Sequence, residues 1–338
     1  MMIDLVLWLK RGLVGAGLSG LAFVLLFAGY GCAKGYDVPS GLMSLMEFDP
    51  GPVASNPVLE DVPGQRVIWM GDIEHLQLAE SSGLTASNLH SDVLWSINDS
   101  GDGPNLYAMK TDGSHIGVWQ VAGSVPVDWE AMDSYVDEGV SYLVVADTGD
   151  NLRWRPNVEL LIVAEPSDLA TGEGMLELVR RVVFTFPEGA RDIEALAVDI
   201  GAGYAYVLSK RTHPPELYRV PLRAGETVTA QRMGLLVGLP RPDELDFAQF
   251  DHPKWQNMPT GMDLWQSSLL VVTARHGYVY DLRDLQRKPL RVRMPAGGQR
   301  EAISFGPSVS DTLYVTRERP DKKGVADVFK VEIDYRSR

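Results

Sequence analysis

From residue 65 onward the chain is a succession of short apolar runs broken by Gly, Asp, Pro or Asn, a strand-and-turn pattern. Helix-period stretches are scarce; the two short candidates are GEGMLELVRR at 172–181 and DELDFAQF at 243–250. Five runs superpose on one pattern, carboxylate-x-Glu-Ala-apolar. They are Glu80-Ser-Ser82-Gly83-Leu84, Asp128-Trp-Glu130-Ala131-Met132, Asp192-Ile-Glu194-Ala195-Leu196, Met258-Pro-Thr260-Gly261-Met262 and Gln299-Arg-Glu301-Ala302-Ile303. The third position is always polar, the fourth always Ala or Gly, the fifth always apolar.

A second run follows each copy: VLWSIND (93–99), YLVVAD (142–147), AYVLSK (205–210), LLVVTAR (269–275) and TLYVTRE (312–318). Then comes a third: NLYAMKTDG (105–113), ELLIVAEP (159–166), ELYRVPL (216–222), GYVYDL (277–282) and DVFKVEID (327–334). Fourth, edge strands are predicted at IGVWQVAG, RRVVFTFP, QRMGLLVG and LRVRMP. The third-position residues 82, 130, 194, 260 and 301 lie 48, 64, 66 and 41 residues apart. Four antiparallel strands at such a period predict an all-β fold, a β-propeller, with the first strand of each blade lining the channel. Crowding near the axis explains the small fourth residue. Five blades is the simplest count; six would need degenerate strands within the two long intervals. The last repeat lacks a fourth strand, and the orphan run RVIWMGDIEHLQL (66–78) precedes the first. That N-terminal strand is predicted to close the ring as the outer strand of the final blade, removing open sheet edges.

The chain's 338 residues, 45% hydrophobic and 22% charged, describe a globular protein. Three segments are expected: 1–32 as a targeting segment, 33–64 as a flexible linker rich in Gly, Pro and Ser, and 65–338 as the propeller. Lys10 and Arg11 precede an apolar, Gly-rich run that ends in Ala28-Gly29-Tyr30-Gly31-Cys32. This is the layout of a secretory signal, a lipoprotein signal with Cys32 as the lipidated residue, or an N-terminal anchor helix. Each places the domain outside the cytoplasm; the lipoprotein form is periplasmic or cell-surface, with the membrane as partner through the lipid or anchor. Cys32 is the one cysteine, which excludes an intramolecular disulfide and a cysteine zinc site. The net charge of −14 argues against nucleic acid and anionic lipid as partners and fits cations or plain solubility.

Two layers of polar residues are predicted near one mouth of the channel. The first comprises Glu80, Asp128, Glu130, Asp192, Glu194 and Glu301, with Ser82, Thr260 and Gln299 completing the ring. These six carboxylates are the candidate metal ligands. The second lies at the ends of the second strands, aligned as Asp99, Asp147, Lys210, Arg275 and Glu318, the candidate ligand-binding set. Clustered carboxylates repel and need a cation, a shared proton or basic partners. Ca2+ suits several oxygen ligands; Lys210 and Arg275 offer internal neutralisation instead. The loops Asp99-Ser-Gly-Asp102-Gly and Asp147-Thr-Gly-Asp150-Asn151 echo each other and offer oxygens to Ca2+, but are not EF-hands, since the twelfth residue from Asp99 is Lys110; each alone is expected to be an Asx-turn, and their equivalence adds weight to the Ca2+ reading. The histidines show no metal-ligand spacing, and neither a nucleophile elbow nor a phosphate loop is present in the domain. Trp129, Trp154, Trp255 and Trp265 are expected to pack between blades.

Taken in order, ESSGL…VLWSINDSGDGPNLYAMKTDG, DWEAM…YLVVADTGDN…AEP, DIEALAVD…YVLSKR and REAISF…LYVTRE resemble the bacterial phytase-like β-propeller group, which includes the SdiA-regulated and "esterase-like activity of phytase" families. The resemblance covers roughly residues 75–335. It implies a periplasmic or membrane-anchored propeller of five or six blades, in some members linked to calcium. The acidic motifs of alkaline phytases, Asp-Ala-x-Asp-Asp-Pro-Ala and Asn-Asn-Val-Asp, are absent. The expected function is a propeller that binds Ca2+ or an unidentified small-molecule or protein ligand at an acidic mouth, as a sensor or scaffold. A metal-assisted phosphoester or ester hydrolase and a metal-free interaction module are the alternatives.

Overall fold

A computed structural model describes residue 53 and residues 55–99, 101–244, 256–295, 300–306, 309–317 and 326–333. The N-terminal targeting segment with Cys32, most of the helix candidate at 243–250, Trp255, Gln299 and Glu318 lie outside the described residues.

The strands form five sheets arranged as a ring of blades, each ordered from an inner strand outward. Blade 1 runs β2 (Ser81–Ala86), β3 (Val93–Asn98), β4 (Asn105–Lys110) and β5 (His115–Val121). Blade 2 runs β6 (Trp129–Asp137), β7 (Val140–Asp147), β8 (Val158–Ala164) and β10 (Leu178–Thr185). Blade 3 uses β11 (Ile193–Asp199), β12 (Tyr204–Ser209), β13 (Glu216–Pro221) and β15 (Gln231–Leu235). Blade 4 uses β16 (Pro259–Trp265), β17 (Ser268–Thr273), β18 (His276–Asp281) and β19 (Leu290–Arg293). Blade 5 uses β20 (Arg300–Gly306), β21 (Val309–Arg317) and β22 (Asp327–Glu332), and takes its outer strand from β1 (Arg66–Asp72), which runs antiparallel to β22. The chain is thus a five-bladed propeller closed by its N-terminal strand, as the repeat predicted.

The candidate helix at 172–181 is instead strand. Residues 173–176 form β9, which adds in parallel to β5 at the edge of blade 1, and 178 onward is the outer strand of blade 2. Likewise β14 (Val228–Thr229), from the β13–β15 connection, adds in parallel to β10. The two long repeat intervals therefore supply strands that cover the previous blade's edge, and no sixth blade is needed. The end of the expected linker also lies along a blade edge. The Val62 amide donates to the Arg291 carbonyl, Asp61 pairs with Arg291 and Arg293, and the Val62 side chain is buried.

The apolar core consists of five clusters, one at each blade-to-blade interface. In β7, Leu143 and Val145 pack toward blade 1 with Trp95, Ile97 and Trp119, whereas Val144 and Ala146 pack toward blade 3 with Leu196, Val207 and Tyr218. A second strand buried on both faces is why YLVVAD and its siblings are continuously apolar rather than alternating. Each such Val or Leu contributes about 1.5–3 kcal/mol through burial. The small fourth residue of the motif has the expected cause. A Cβ on Gly83 would stand 2.7 Å from the Met132 backbone nitrogen in the next blade's inner strand, and one on Gly261 would stand 3.1 Å from the Glu301 carbonyl oxygen.

Candidate functional site

Every inner strand carries a register shift at the same motif position. The shifts fall between Ser81 and Gly83, Trp129 and Ala131, Ile193 and Ala195, Pro259 and Gly261, and Arg300 and Ala302. The bulged residues are Ser82, Glu130, Glu194, Thr260 and Glu301, the five polar third positions. A bulge leaves one residue outside the ladder and re-aims its side chain. The repeat thus encodes a ring of bulges rather than simple alternation.

The pairing register also corrects the alignment of the second strands. Trp129 stands opposite Asp147 as Ser81 stands opposite Asn98, Ile193 opposite Ser209, Pro259 opposite Thr273 and Arg300 opposite Arg317. Asp99, Thr148, Lys210 and Ala274 are therefore equivalent; Asp147 lies one residue early and Arg275 one late. A one-residue offset turns a strand side chain to the other face. Asp147 is buried beneath the start of blade 2, where its carboxylate accepts the amides of Val127 (2.9 Å) and Asp128 (3.1 Å) and an ion pair from Arg155 (2.8 Å).

The two predicted layers do meet. One carboxylate oxygen each from Asp99, Asp128 and Glu130 lies within 4.8 Å of the other two. Asp99 comes from the end of β3 in blade 1; Asp128 and Glu130 come from the start of β6 in blade 2. The loop after β7 leaves room for them. A Cβ on Gly149 would collide with Asp128 Oδ2 and Glu130 Oε1, so any larger residue there would displace these carboxylates. The Ser82 hydroxyl donates to the Glu130 carbonyl (2.9 Å) and more distantly to its carboxylate (3.4 Å).

The other half of the acidic ring is neutralised internally. Lys210 Nζ donates to Glu194 Oε2 at 2.5 Å. Asp192 accepts the Asp150 amide (2.8 Å) and pairs with Arg211 Nε (2.5 Å), while Arg211 also bonds Asn151. The Glu80 carbonyl accepts the Asp99 amide, as the Asp192 carbonyl accepts that of Lys210. Glu301 acts on this group electrostatically, raising both Glu194 and Lys210.

These charges shift one another. Burial raises the Glu194 carboxyl to about 8, with Asp192 and Glu301 adding to the rise and Lys210 opposing it. Burial works against the Lys210 ammonium, yet Glu194, Glu301 and Glu130 outweigh it and hold its pKa above the ordinary lysine value. Glu194 rises through burial, whereas Lys210 rises because one cation serves several anions. Glu130 is pushed well up by burial and then by Glu194, Asp99 and Asp128. Asp128 is raised by burial, then by Asp99, Asp192 and Glu194. Without a cation, this half of the mouth favours bound protons.

Three residues along each inner strand lies a second ring that the motif alignment missed: Thr85, Asp133, Ala197, Asp263 and Ser304. Asp133 accepts its neighbour Ser134's amide and, at 2.6 Å, that of Val198 in the next blade. Asp263 does the same with Leu264 and Phe305, both at 2.6 Å, and the Ser304 hydroxyl accepts the Ala86 amide at 2.9 Å. These side chains latch one inner strand to the next. Burial and the Asp263 charge raise Asp133, and burial lifts Asp263 to about 7.

The echoed loops are tied by their second aspartates, through bonds other than the two-residue contact of an Asx-turn. Asp102 accepts the Gly103 amide and the Tyr107 hydroxyl, and Asp150 accepts the amides of Trp154 and Arg155. Trp129 is buried and Trp265 packs against the core, but Trp154 departs from expectation and is half exposed.

Three carboxylates converging on a glycine-made space fit a divalent cation, because Ca–O bonds of about 2.4 Å allow ligand oxygens to stand up to about 4.8 Å apart. Among the described residues no helix is long and apolar enough to cross a membrane.

No family model and no curated protein matches the chain. Among solved structures, luciferin-regenerating enzyme is 12% identical, covering 80% of this chain and 95% of its own, with a TM-score of 0.44. A gluconolactonase from Xanthomonas campestris is 14% identical over 85% of this chain and 98% of its own, with a TM-score of 0.41. A chain of a nidogen/laminin complex is 11% identical over 80% and 99%, with a TM-score of 0.43. The chain is a five-bladed β-propeller whose acidic mouth includes a carboxylate triad able to hold a metal ion.

Proposed function

We propose that this protein is an extracytoplasmic propeller that binds Ca2+ through Asp99, Asp128 and Glu130 and acts as a ligand sensor or assembly scaffold. The observation that carries the metal assignment is the convergence of these three carboxylates on the space beside Gly149. Internal pairing serves Asp192 and Glu194 in the other half of the ring. A hard cation matches an all-oxygen ligand set. The basic, apolar and Gly-Cys succession ending at Cys32 supports export and anchoring. The ordered motifs that resemble the phytase-like propeller group support the same placement.

Thermal unfolding of chelator-treated full-length protein at pH 7.5 tests the metal assignment. Millimolar Ca2+ raises Tm in the wild type and leaves Asp128→Asn/Glu130→Gln unmoved. An equal rise in both proteins, or none in either, contradicts the proposal. Incorporation of labelled palmitate, lost in Cys32→Ser, tests the anchor.

A further inference from the structure

A cleft of about 300 Å³ opens between the β7–β8 loop of blade 2 and the segment that leads into blade 3. Its eleven lining residues include Arg153, Arg155 and Arg191 and no acid, a local reversal of sign on a chain of net charge −14. Two of the arginines are already committed. Arg155 turns its guanidinium inward to Asp147 and the Gly149 carbonyl, and Arg191 bonds Glu216 and the carbonyls of Glu188, Gly189 and Ala190. Arg153 is exposed and forms no ion pair among the described residues. Beside it stands Trp154, half exposed where the other aromatic of the cleft, Phe186, is buried.

The loop is held rigidly in this form. Asp150, itself buried, accepts the Trp154 amide at 3.0 Å and the Arg155 amide at 2.8 Å, and its carbonyl accepts the Arg153 amide at 2.8 Å. This network keeps Arg153 in the left-handed region at φ 52, a conformation that costs a non-glycine residue energy. An arginine with no ion pair among the described residues and a half-exposed tryptophan, both lining a cleft at the small end of ligand-pocket sizes, offer charge and stacking together.

We propose that this cleft is a second binding site, for a small organic anion with a planar body: a carboxylate or phosphate held by Arg153, with its ring against Trp154. It is separate from the triad at the mouth and does not depend on metal there. Phenyl phosphate and benzoate serve as ring-bearing anions, phenol as the neutral ring and inorganic phosphate as the bare anion. Each is titrated into the full chain with chelator present and followed by 15N-indole resonances, with Trp154→Phe identifying the Trp154 signal.

Phenyl phosphate and benzoate are expected to move the Trp154 resonance saturably, and Arg153→Ala to weaken both about ten-fold, the size of one lost charge-assisted contact. Phenol binds equally weakly to the wild type and Arg153→Ala, and inorganic phosphate binds more weakly than phenyl phosphate. Arg153→Lys restores part of the loss. The proposal is overturned if neither ring-bearing anion moves the Trp154 resonance, or if Arg153→Ala binds them as the wild type does. Saturable movement that appears only with added Ca2+ also overturns it, since the ligand would then belong to the mouth.

Discussion

Glu130 Oε1 lies against Gly149 of the β7–β8 loop, where a Cβ would collide with it, so a side chain at residue 149 would displace the Glu130 carboxylate. Gly149→Ala must push Asp128 and Glu130 off their shared space. The expected cost is about 1–3 kcal/mol of stability in chemical denaturation, the size of a local overpacking. Ca2+ affinity should fall at least about ten-fold, or 1.4 kcal/mol. Wild-type affinity in this variant would show that the cradle does not shape the site.

Removing Lys210 leaves several carboxylates facing one another. Lys210→Met is expected to lose about 3 kcal/mol at pH 8, the scale of an orphaned buried partner. The loss should shrink at pH 5, where Glu194, raised to about 8, carries a proton. Denaturant midpoints of both proteins at the two pH values measure it, and an equal loss at both contradicts the charge account.

The pH dependence has a definite sign. Glu194 (about 8), Asp263 (about 7), Glu130, Asp128 and Asp133 all have folded-state pKa values above their unfolded ones. Through these groups the folded state binds more protons, and their contribution to stability falls as pH rises from about 4 to 8. Asp281, held down to about 2 by Arg283, and Asp61, held down by Arg291 despite some burial, act oppositely. Their contribution is present above pH 4 and is lost as pH falls through their folded values. His213 and His276, each lowered to about 4 by burial, also act oppositely between about pH 4 and 6.5. Above that range the raised carboxyls dominate, so the metal-free protein should lose stability from about pH 6.5 to 8, and Ca2+ should raise Tm more at pH 8 than at pH 6.5. Melting curves from pH 3 to 9 with and without Ca2+ check this.

The second ring separates structure from ligand binding. Asp133→Ala strands the amides of Ser134 and Val198 and should cost about 2–4 kcal/mol, one to two unsatisfied buried groups. Asp133→Asn keeps one acceptor oxygen without the buried charge and should cost less, most visibly at pH 8. Neither should change Ca2+ affinity more than about two-fold, since Asp133 makes no part of the triad.

The blades were legible because two local signals repeat. Small residues such as Gly83 and Gly261 mark where inner strands touch, and runs such as YLVVAD mark strands buried on both faces. The bulges were not legible, because an extra residue in a ladder leaves no mark in composition. The one-residue slip at Asp147 and Arg275 has the same origin: ends of apolar runs do not fix register, whereas pairing with Trp129 and Pro259 does. The latch ring was within reach. Thr85, Asp133, Asp263 and Ser304 are polar positions on largely apolar inner strands, directly after the aligned five-residue motif. The helix expected at 172–181 failed for a tertiary reason. Propensity cannot see the open edge of β5, which β9 covers.

Calorimetric titration of Ca2+ into metal-free full-length protein at pH 7.5, beside Asp128→Asn/Glu130→Gln, tests the central claim most directly. The account predicts saturable binding at one site in the wild type, lost in the double variant while its unfolding stays cooperative. No heat from the wild type at millimolar Ca2+, or equal binding by the variant, would contradict it.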